Sequence, residues 1–290
     1  MSKVPEIIQK RAKILSNVHL KGNYYRLALD SPEIAAAAQP GQFVMLRLAN
    51  DYQPFLRRPF SIHKLNYGHR TINQKSISKK NKENRFQAAS YIEILYEVLG
   101  KGTMILSEKR PGEYLDTLGP LGKGFSLSAD SYRIKSILVA GGMGVAPLFF
   151  LAQWLKRGNV QHARRNTVVL IGAKTKKEIL SQKEFANIGL NVRICTEDGS
   201  SGFKGKVTEL LAHLLKTKGC DLSTIYACGP RPMLIEVCKI SKRYNIQAQV
   251  SLEEYMACGL GVCLGCMIKT KEGQKLVCKD GPVFDVSKII

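Results

Sequence analysis

The chain has 290 residues, 44% of them hydrophobic and 23% charged, with a formal net charge of +21. That length predicts about two domains with buried cores, and the apolar content excludes global disorder. No apolar run reaches the roughly 18 residues that a membrane span needs. Glu6, Gln9, Lys10, Arg11 and Lys13 in the first 15 residues do not fit a secretory leader.

The charge is unevenly spread. Residues 1–130 carry +9, residues 131–245 carry +12, and residues 246–290 are neutral. So basic a chain raises a nucleic-acid reading, which the motifs must then support.

Short strand-like segments come first, at residues 24–29, 42–48 and 91–99. Turn signals bound them, as in Gln39-Pro40-Gly41 and Lys109-Arg110-Pro111-Gly112. They predict an antiparallel barrel over residues 1–130. Within it, Arg57-Arg58-Pro59-Phe60-Ser61-Ile62 offers an arginine able to clamp a phosphate and a serine able to hydrogen-bond a ring nitrogen. Residues 63–85 hold seven basic side chains and one acid, Glu83, with no usable apolar period. They read as an exposed loop between two strands that supplies +6 of the charge. No helix-turn-helix, zinc-finger or RNA-binding aromatic motif accompanies it. Leu95-Tyr96-Glu97 then leads to Gly100-Lys101-Gly102-Thr103, whose backbone and hydroxyl donors suit a pyrophosphate.

From residue 136 apolar runs alternate with helical patterns. Strands are predicted at 136–140, 167–171, 191–195, 224–228 and 246–250. Helices are predicted at 148–156, 206–215 and 231–244. This is the signature of a parallel α/β domain, placed at residues 131–250. The first strand runs into Gly141-Gly142-Met143-Gly144-Val145-Ala146-Pro147, a glycine turn that lets backbone approach a pyrophosphate at a helix start. Pro147 stands where the common dinucleotide fingerprint has its third glycine, and no acid follows the next strand. A second turn, Cys228-Gly229-Pro230, follows another strand. Together the two turns define a crevice at the carboxyl ends of parallel strands.

Residues 251–290 form a cysteine segment. Cys258, Cys263, Cys266 and Cys278 follow C-x4-C-x2-C-x11-C, and the first three match plant-type ferredoxin spacing for a 2Fe-2S cluster. Gly259, Gly261 and Gly265 let such a loop wrap tightly. Tetrahedral zinc ordinarily uses two short cysteine pairs; zinc and structural thiols stay as alternatives. Cys195, Cys228 and Cys238 fall in predicted elements as small hydrophobes.

In this order the motifs resemble the ferredoxin–NADP reductase superfamily, a flavin barrel followed by a pyridine-nucleotide domain. Pro40-Gly41-Gln42-Phe43-Val44 and Asp116-Thr117-Leu118-Gly119-Pro120-Leu121-Gly122 add to the likeness. The cysteine segment narrows it to the electron-transfer subunits of dihydroorotate dehydrogenase B. The resemblance implies that Arg58, Pro59, Phe60 and Ser61 hold FAD, with Ser61 near the isoalloxazine. Leu95, Tyr96 and Glu97 would follow its ribityl and phosphate region, and Gly102 and Thr103 its pyrophosphate. Glu97 departs from the pattern, which has a basic residue there. Gly141, Gly142, Gly144, Pro147, Cys228, Gly229 and Pro230 would hold NAD, and the four cysteines the cluster. No side chain is singled out as catalytic; exchange with NAD would take place at the flavin.

The resemblance further implies a cytoplasmic partner, an FMN-containing catalytic subunit that oxidises dihydroorotate, in a heterotetramer of two of each subunit. Electrons would pass singly through the cluster to FAD and leave in pairs to NAD+. Lys174, Lys176 and Lys177 suit the extra phosphate of NADP instead. The competing enzyme reading is a related NAD(P)H:acceptor subunit of sulfide dehydrogenase or hydrogenase type. A nucleic-acid-binding protein on a reductase scaffold is the remote one.

Overall fold

The computed structural model describes residues 7–49, 54–67, 89–127, 135–158, 166–218 and 223–289. The chain divides into two compact units, residues 1–121 and 122–290.

The first unit contains β1 (Ile8–Lys21), β2 (Tyr24–Asp30), α1 (Pro32–Ala37), β3 (Phe43–Arg47) and β4 (Arg58–Ser61). β5 (Lys64–Tyr67), β6 (Ala89–Glu97), α2 (Lys101–Glu108) and β7 (Tyr114–Leu121) complete it. The strands make one curled antiparallel sheet in the order β4-β3-β7-β1-β2-β6-β5. Alternation builds it. On β1, Ala12 and Ile14 face the core while Arg11 and Lys13 face water. The two edge strands are consecutive in sequence and do not pair with each other. The chain crosses that seam at Ile62-His63. Ile62 N–H donates to Gln42 O (3.1 Å) and His63 N–H to Glu93 O (2.8 Å).

One expectation needs correcting here. Residues 64–67, read as loop, form β5 against β6, because Leu65 is buried while Lys64 and Asn66 reach Glu93. Residues 68–85 of the basic insertion lie outside the described residues.

The second unit is doubly wound. Its elements are β8 (Lys135–Gly141), α3 (Val145–Gly158), β9 (Thr167–Ala173), α4 (Gln182–Asn187), β10 (Asn191–Thr196), β11 (Phe203–Lys204) and α5 (Val207–Lys218). β12 (Ser223–Cys228), α6 (Arg231–Tyr244), β13 (Gln247–Ser251), β14 (Met267–Thr270), β15 (Gly273–Leu276) and β16 (Val283–Asp285) follow. The sheet order is β11-β10-β9-β8-β12-β13-β16, parallel except for β16, which runs antiparallel to β13. α5 and α6 cover one face through Leu211, Leu214, Leu234 and Val237. α3 and α4 meet through an edge-on contact of Phe149 and Phe185.

Over β12, β13 and β16 one sheet face stays polar, with Thr224, Gln247, Gln249 and Asp285 lining a hollow of about 490 Å³. Gln249 clamps the incoming chain there. Its amide donates to Ser126 O and accepts from Ser126 N–H, both at 2.8 Å. Lys123 bonds backbone to backbone with Gly281 and Val283.

Candidate functional site

Three groups of residues stand where the sequence placed its motifs, one in the first unit and two in the second. The first lies in the antiparallel unit. Arg58 opens β4, and its guanidinium donates only to the carbonyls of Leu56 (2.8 Å) and Arg57 (3.3 Å) among the described residues. Gly102, in the first turn of α2, leaves a cradle beside it. A Cβ there would stand 3.2 Å from Leu48 Cδ1 and 3.6 Å from Arg58 Nε. Arg58 and Gly102, 44 residues apart in sequence, are therefore neighbours in the fold, and the missing side chain of Gly102 lets the arginine pack against the start of α2.

Thr103 has its hydroxyl engaged. It accepts from the amides of Leu99 (2.9 Å) and Gly100 (3.2 Å) and donates to Gly100 O, closing the turn into α2. Pro59, Ser61 and Glu97 are half-buried, and Phe60 and Leu95 are buried. Tyr96 is only 2% exposed and packs into the barrel against Tyr25 and Phe60. Its hydroxyl donates to Asn17 (3.0 Å), and burial raises its pKa well above the ordinary phenol value. The Tyr96 side chain thus serves the barrel core.

A pair that the motifs did not disclose fixes this region. Arg57 Nη2 bonds Asp116 Oδ2 at 2.5 Å, and Nη1 donates to Asp116 O at 3.0 Å. This ties the approach to β4 onto β7. The adjacent arginines were the available signal, but the acid is 59 residues away.

The second group lies at the carboxyl ends of β8 and β12, which pair directly, Ala140 opposite Cys228. Gly142–Gly144 make a single 3-10 turn and Pro147 falls in the first turn of α3. The two glycine turns touch. A Cβ on Gly141 would stand 2.6 Å from Met233 Sδ and 2.9 Å from Pro230 Cδ, and one on Gly229 3.0 Å from the Gly141 amide nitrogen. Gly142, at φ +53°, has nothing within 4 Å of its Cβ position, so its backbone faces open space. Cys228 is buried, and burial first, then the charge of Glu253, holds its thiol far above the usual range. Further along the same sheet edge, the lysines after β9 and the acids after β10 share one turn. Lys176 N–H donates to Ser200 Oγ (2.8 Å), and Asp198 N–H to Lys174 O (3.2 Å).

The third group is the cysteine loop. Cys258 is half-buried, Cys263 exposed, and Cys266 and Cys278 almost fully buried. Gly259 and Gly261 take left-handed φ values of +72° and +80° that reverse the chain between the first two cysteines. Backbone amides point at sulfur. Leu260 N–H donates to Cys258 Sγ (3.3 Å) and Cys278 N–H to Cys266 Sγ (3.4 Å). Burial opposes ionisation of Cys258, but the amides of Cys263, Leu260 and Val262 outweigh it and bring the thiol down to about 6. Burial, with the hydrogen bond and charge of Cys266, pushes Cys278 up to about 12.

Among the described residues no three His, Cys, Asp or Glu side chains form a nest for a single ion. The Leu260 amide turns onto Cys258 and the Cys278 amide onto Cys266, so the loop wraps its sulfurs in backbone donors. Four cysteines at this spacing, with amides at their sulfurs, fit an iron–sulfur cluster.

A curled antiparallel sheet, a doubly wound sheet with paired glycine turns, and an amide-lined cysteine loop define the class: an iron–sulfur oxidoreductase of ferredoxin-reductase fold. Residues 138–239 match the oxidoreductase NAD-binding domain, and residues 253–290 match the iron-sulfur cluster binding domain of dihydroorotate dehydrogenase B. The chain is 36% identical over 283 residues to the dihydroorotate dehydrogenase B (NAD(+)) electron transfer subunit of Desulforamulus reducens, covering 96% of this chain and 97% of the relative. The subunit of the same description from Bacillus caldolyticus is 33% identical, covering 97% and 98%. Among solved structures, an NADH-dependent reduced ferredoxin-NADP oxidoreductase studied for flavin-based electron bifurcation is similar. Its TM-score is 0.78 at 26% identity, covering 96% of this chain and 89% of that one. A ferredoxin NADP+ reductase from Neisseria gonorrhoeae shares the fold at TM-score 0.61 and 17% identity, covering 81% and 91%. The chain belongs to the family of dihydroorotate dehydrogenase B electron transfer subunits. No helix among the described residues is long and apolar enough to cross a membrane.

Proposed function

We propose that this chain carries electrons from the FMN of a dihydroorotate dehydrogenase catalytic subunit to NAD+, using a 2Fe-2S cluster and FAD, in pyrimidine biosynthesis. The observation that carries the reading is the cysteine loop: four cysteines at cluster spacing, with amides aimed at their sulfurs, on a chain that also holds the paired glycine turns. When bound, the cluster supplies one-electron transfer, and FAD gathers single electrons into the pair that NAD+ takes up with a proton.

The chain's own residues bind and orient these groups. Arg58 neutralises an FAD phosphate, and the bare Gly102 lets backbone approach it, while Ser61 offers its hydroxyl to the ring. Pro59, Phe60, Leu95, Tyr96 and Glu97 shape the surrounding barrel wall, and Thr103 holds the α2 turn in register. Gly141, Gly142 and Gly144, with Pro147 starting the helix, present amides to the NAD pyrophosphate, and Cys228-Gly229-Pro230 forms the facing wall. Cys258, Cys263, Cys266 and Cys278 hold the cluster.

Residues 1–130, 131–250 and 251–290 serve as the FAD, NAD and cluster parts. The partner is an FMN-containing catalytic subunit, in a heterotetramer of two of each. A cytoplasmic setting suits the free thiols, which a reducing compartment preserves.

The test is a visible spectrum before and after anaerobic NADH, followed by co-purification with a dihydroorotate dehydrogenase catalytic subunit. Flavin bands with a cluster shoulder, both bleached by NADH, are expected; a colourless protein containing zinc and no iron refutes the reading. The likeness to the ferredoxin-NADP oxidoreductase favours a second reading, a subunit passing electrons between NAD(P)H and another acceptor. It gains ground if the chain reduces ferredoxin and binds no dihydroorotate-oxidising partner.

A further inference from the structure

Lys279 follows the fourth cysteine directly and lies across the loop that holds the first two. A Cβ on Gly261, between Cys258 and Cys263, would stand 2.7 Å from Lys279 Cδ, 3.1 Å from Cβ and 3.4 Å from Cγ. The lysine stem therefore covers Gly261, in the turn between the first two cysteines.

The ammonium has no ion pair or hydrogen bond among the described residues, unlike Lys275 and Lys288, which meet Glu272. The adjacent acid, Asp280, is occupied in accepting the amide of Leu276 (2.8 Å). Between residues 252 and 266 the charged side chains are the acids Glu253 and Glu254, with no base. Lys279 is therefore the cation that packing fixes on the cluster loop.

Resting on the reading of the four cysteines as cluster ligands, we propose that Lys279 sets the reduction potential of that cluster by its charge. Four thiolates and two sulfides outweigh two ferric ions, so the oxidised centre is already anionic, and an added electron makes it more so. A fixed cation stabilises the reduced form more and raises the potential. A unit charge several ångströms away changes such an equilibrium by roughly threefold in water-like surroundings and up to roughly tenfold where water is partly excluded. Lys279 is exposed, so its effect belongs in the lower part of that range.

Packing and charge are separable. Lys279→Met keeps the stem on Gly261 and removes the charge; Lys279→Gln does the same with a shorter stem; Lys279→Arg keeps both. The whole subunit is poised at fixed potentials with mediators, and reduced cluster is counted by electron paramagnetic resonance alongside iron content. At a given potential, Met and Gln variants should show an about threefold lower ratio of reduced to oxidised cluster, about 30 mV for a one-electron couple. The Arg variant should stay within twofold of the parent. Unchanged Met and Gln variants, or an Arg variant shifted as far as Met, overturn the proposal. So does loss of iron from both Met and Gln variants, which would make the charge a requirement for cluster retention. A parent protein without a cluster signal instead removes the functional reading itself.

Discussion

Gly144→Ala tests the contact between the two glycine turns. A methyl group on Gly144 would overlap the carbonyl group of Cys228 and stand 2.8 Å from the amide nitrogen of Gly229, where real contacts stay beyond 3.0 Å. Both obstacles are backbone, so no side chain can rotate away. The turns must part by about 1 Å, and overpacking of this kind costs about 1 to 3 kcal/mol. A displacement of about 1 Å in a positioning contact costs on the order of 10²-fold in turnover. The expected outcome is a protein that folds, retains flavin and iron, and is reduced by NADH 10- to 100-fold more slowly at limiting NADH (about 1.4 to 2.7 kcal/mol). Anaerobic stopped-flow absorbance over a range of NADH concentrations measures it. Gly112→Ala is the control: its φ of +96°, unlike the φ of Gly144, strains an alanine, but a Cβ there meets nothing within 4 Å. A Gly144→Ala protein whose NADH dependence stays within threefold of the parent would show that the contact does not position the nucleotide.

Two further outcomes follow from the other groups. Cys263→Ser replaces the exposed cysteine of the loop and should abolish the cluster absorbance while FAD stays bound, because the residues proposed to hold FAD lie in the other unit. Parental iron content in that variant would remove Cys263 from the ligand set. Arg58→Ala should release FAD about 10- to 100-fold more readily, as expected for losing a hydrogen bond to a charged group worth about 1.5 to 3 kcal/mol. Flavin fluorescence on dilution reports it, and unchanged retention would count against Arg58 as a phosphate clamp.

Local signals made much of this molecule legible. The sequence of residues 231–244 reads as a helix and forms α6, since a Pro-flanked start and a 3.6-residue apolar period agree there. The central strands β8 and β9 are visible because burial on both faces writes them as short apolar runs. The cysteine spacing and the glycine turns were visible because cluster and phosphate chemistry demand residue types at fixed intervals. β1 was missed. Its 14 residues carry four basic side chains, and its core face shows only at Ala12 and Ile14. β16 has three residues and no period to detect. The Arg57–Asp116 pair and the Lys279 stem over Gly261 were illegible for another reason: each joins residues distant in sequence, and only the folded chain fixes their partners.

β16 has a consequence for how the molecule is made. An unpaired edge strand is a template for pairing with other chains. β13 keeps such an edge until β16 covers it, and β16 is synthesised only after all four loop cysteines. Completing the sheet and presenting the loop are thus one late event in biogenesis. A nascent chain stalled before residue 283 would expose a bare sheet margin beside reactive thiols, a state prone to aggregation and oxidation. The cysteine segment is therefore no detachable module, since its last strand is the seal on the parallel sheet.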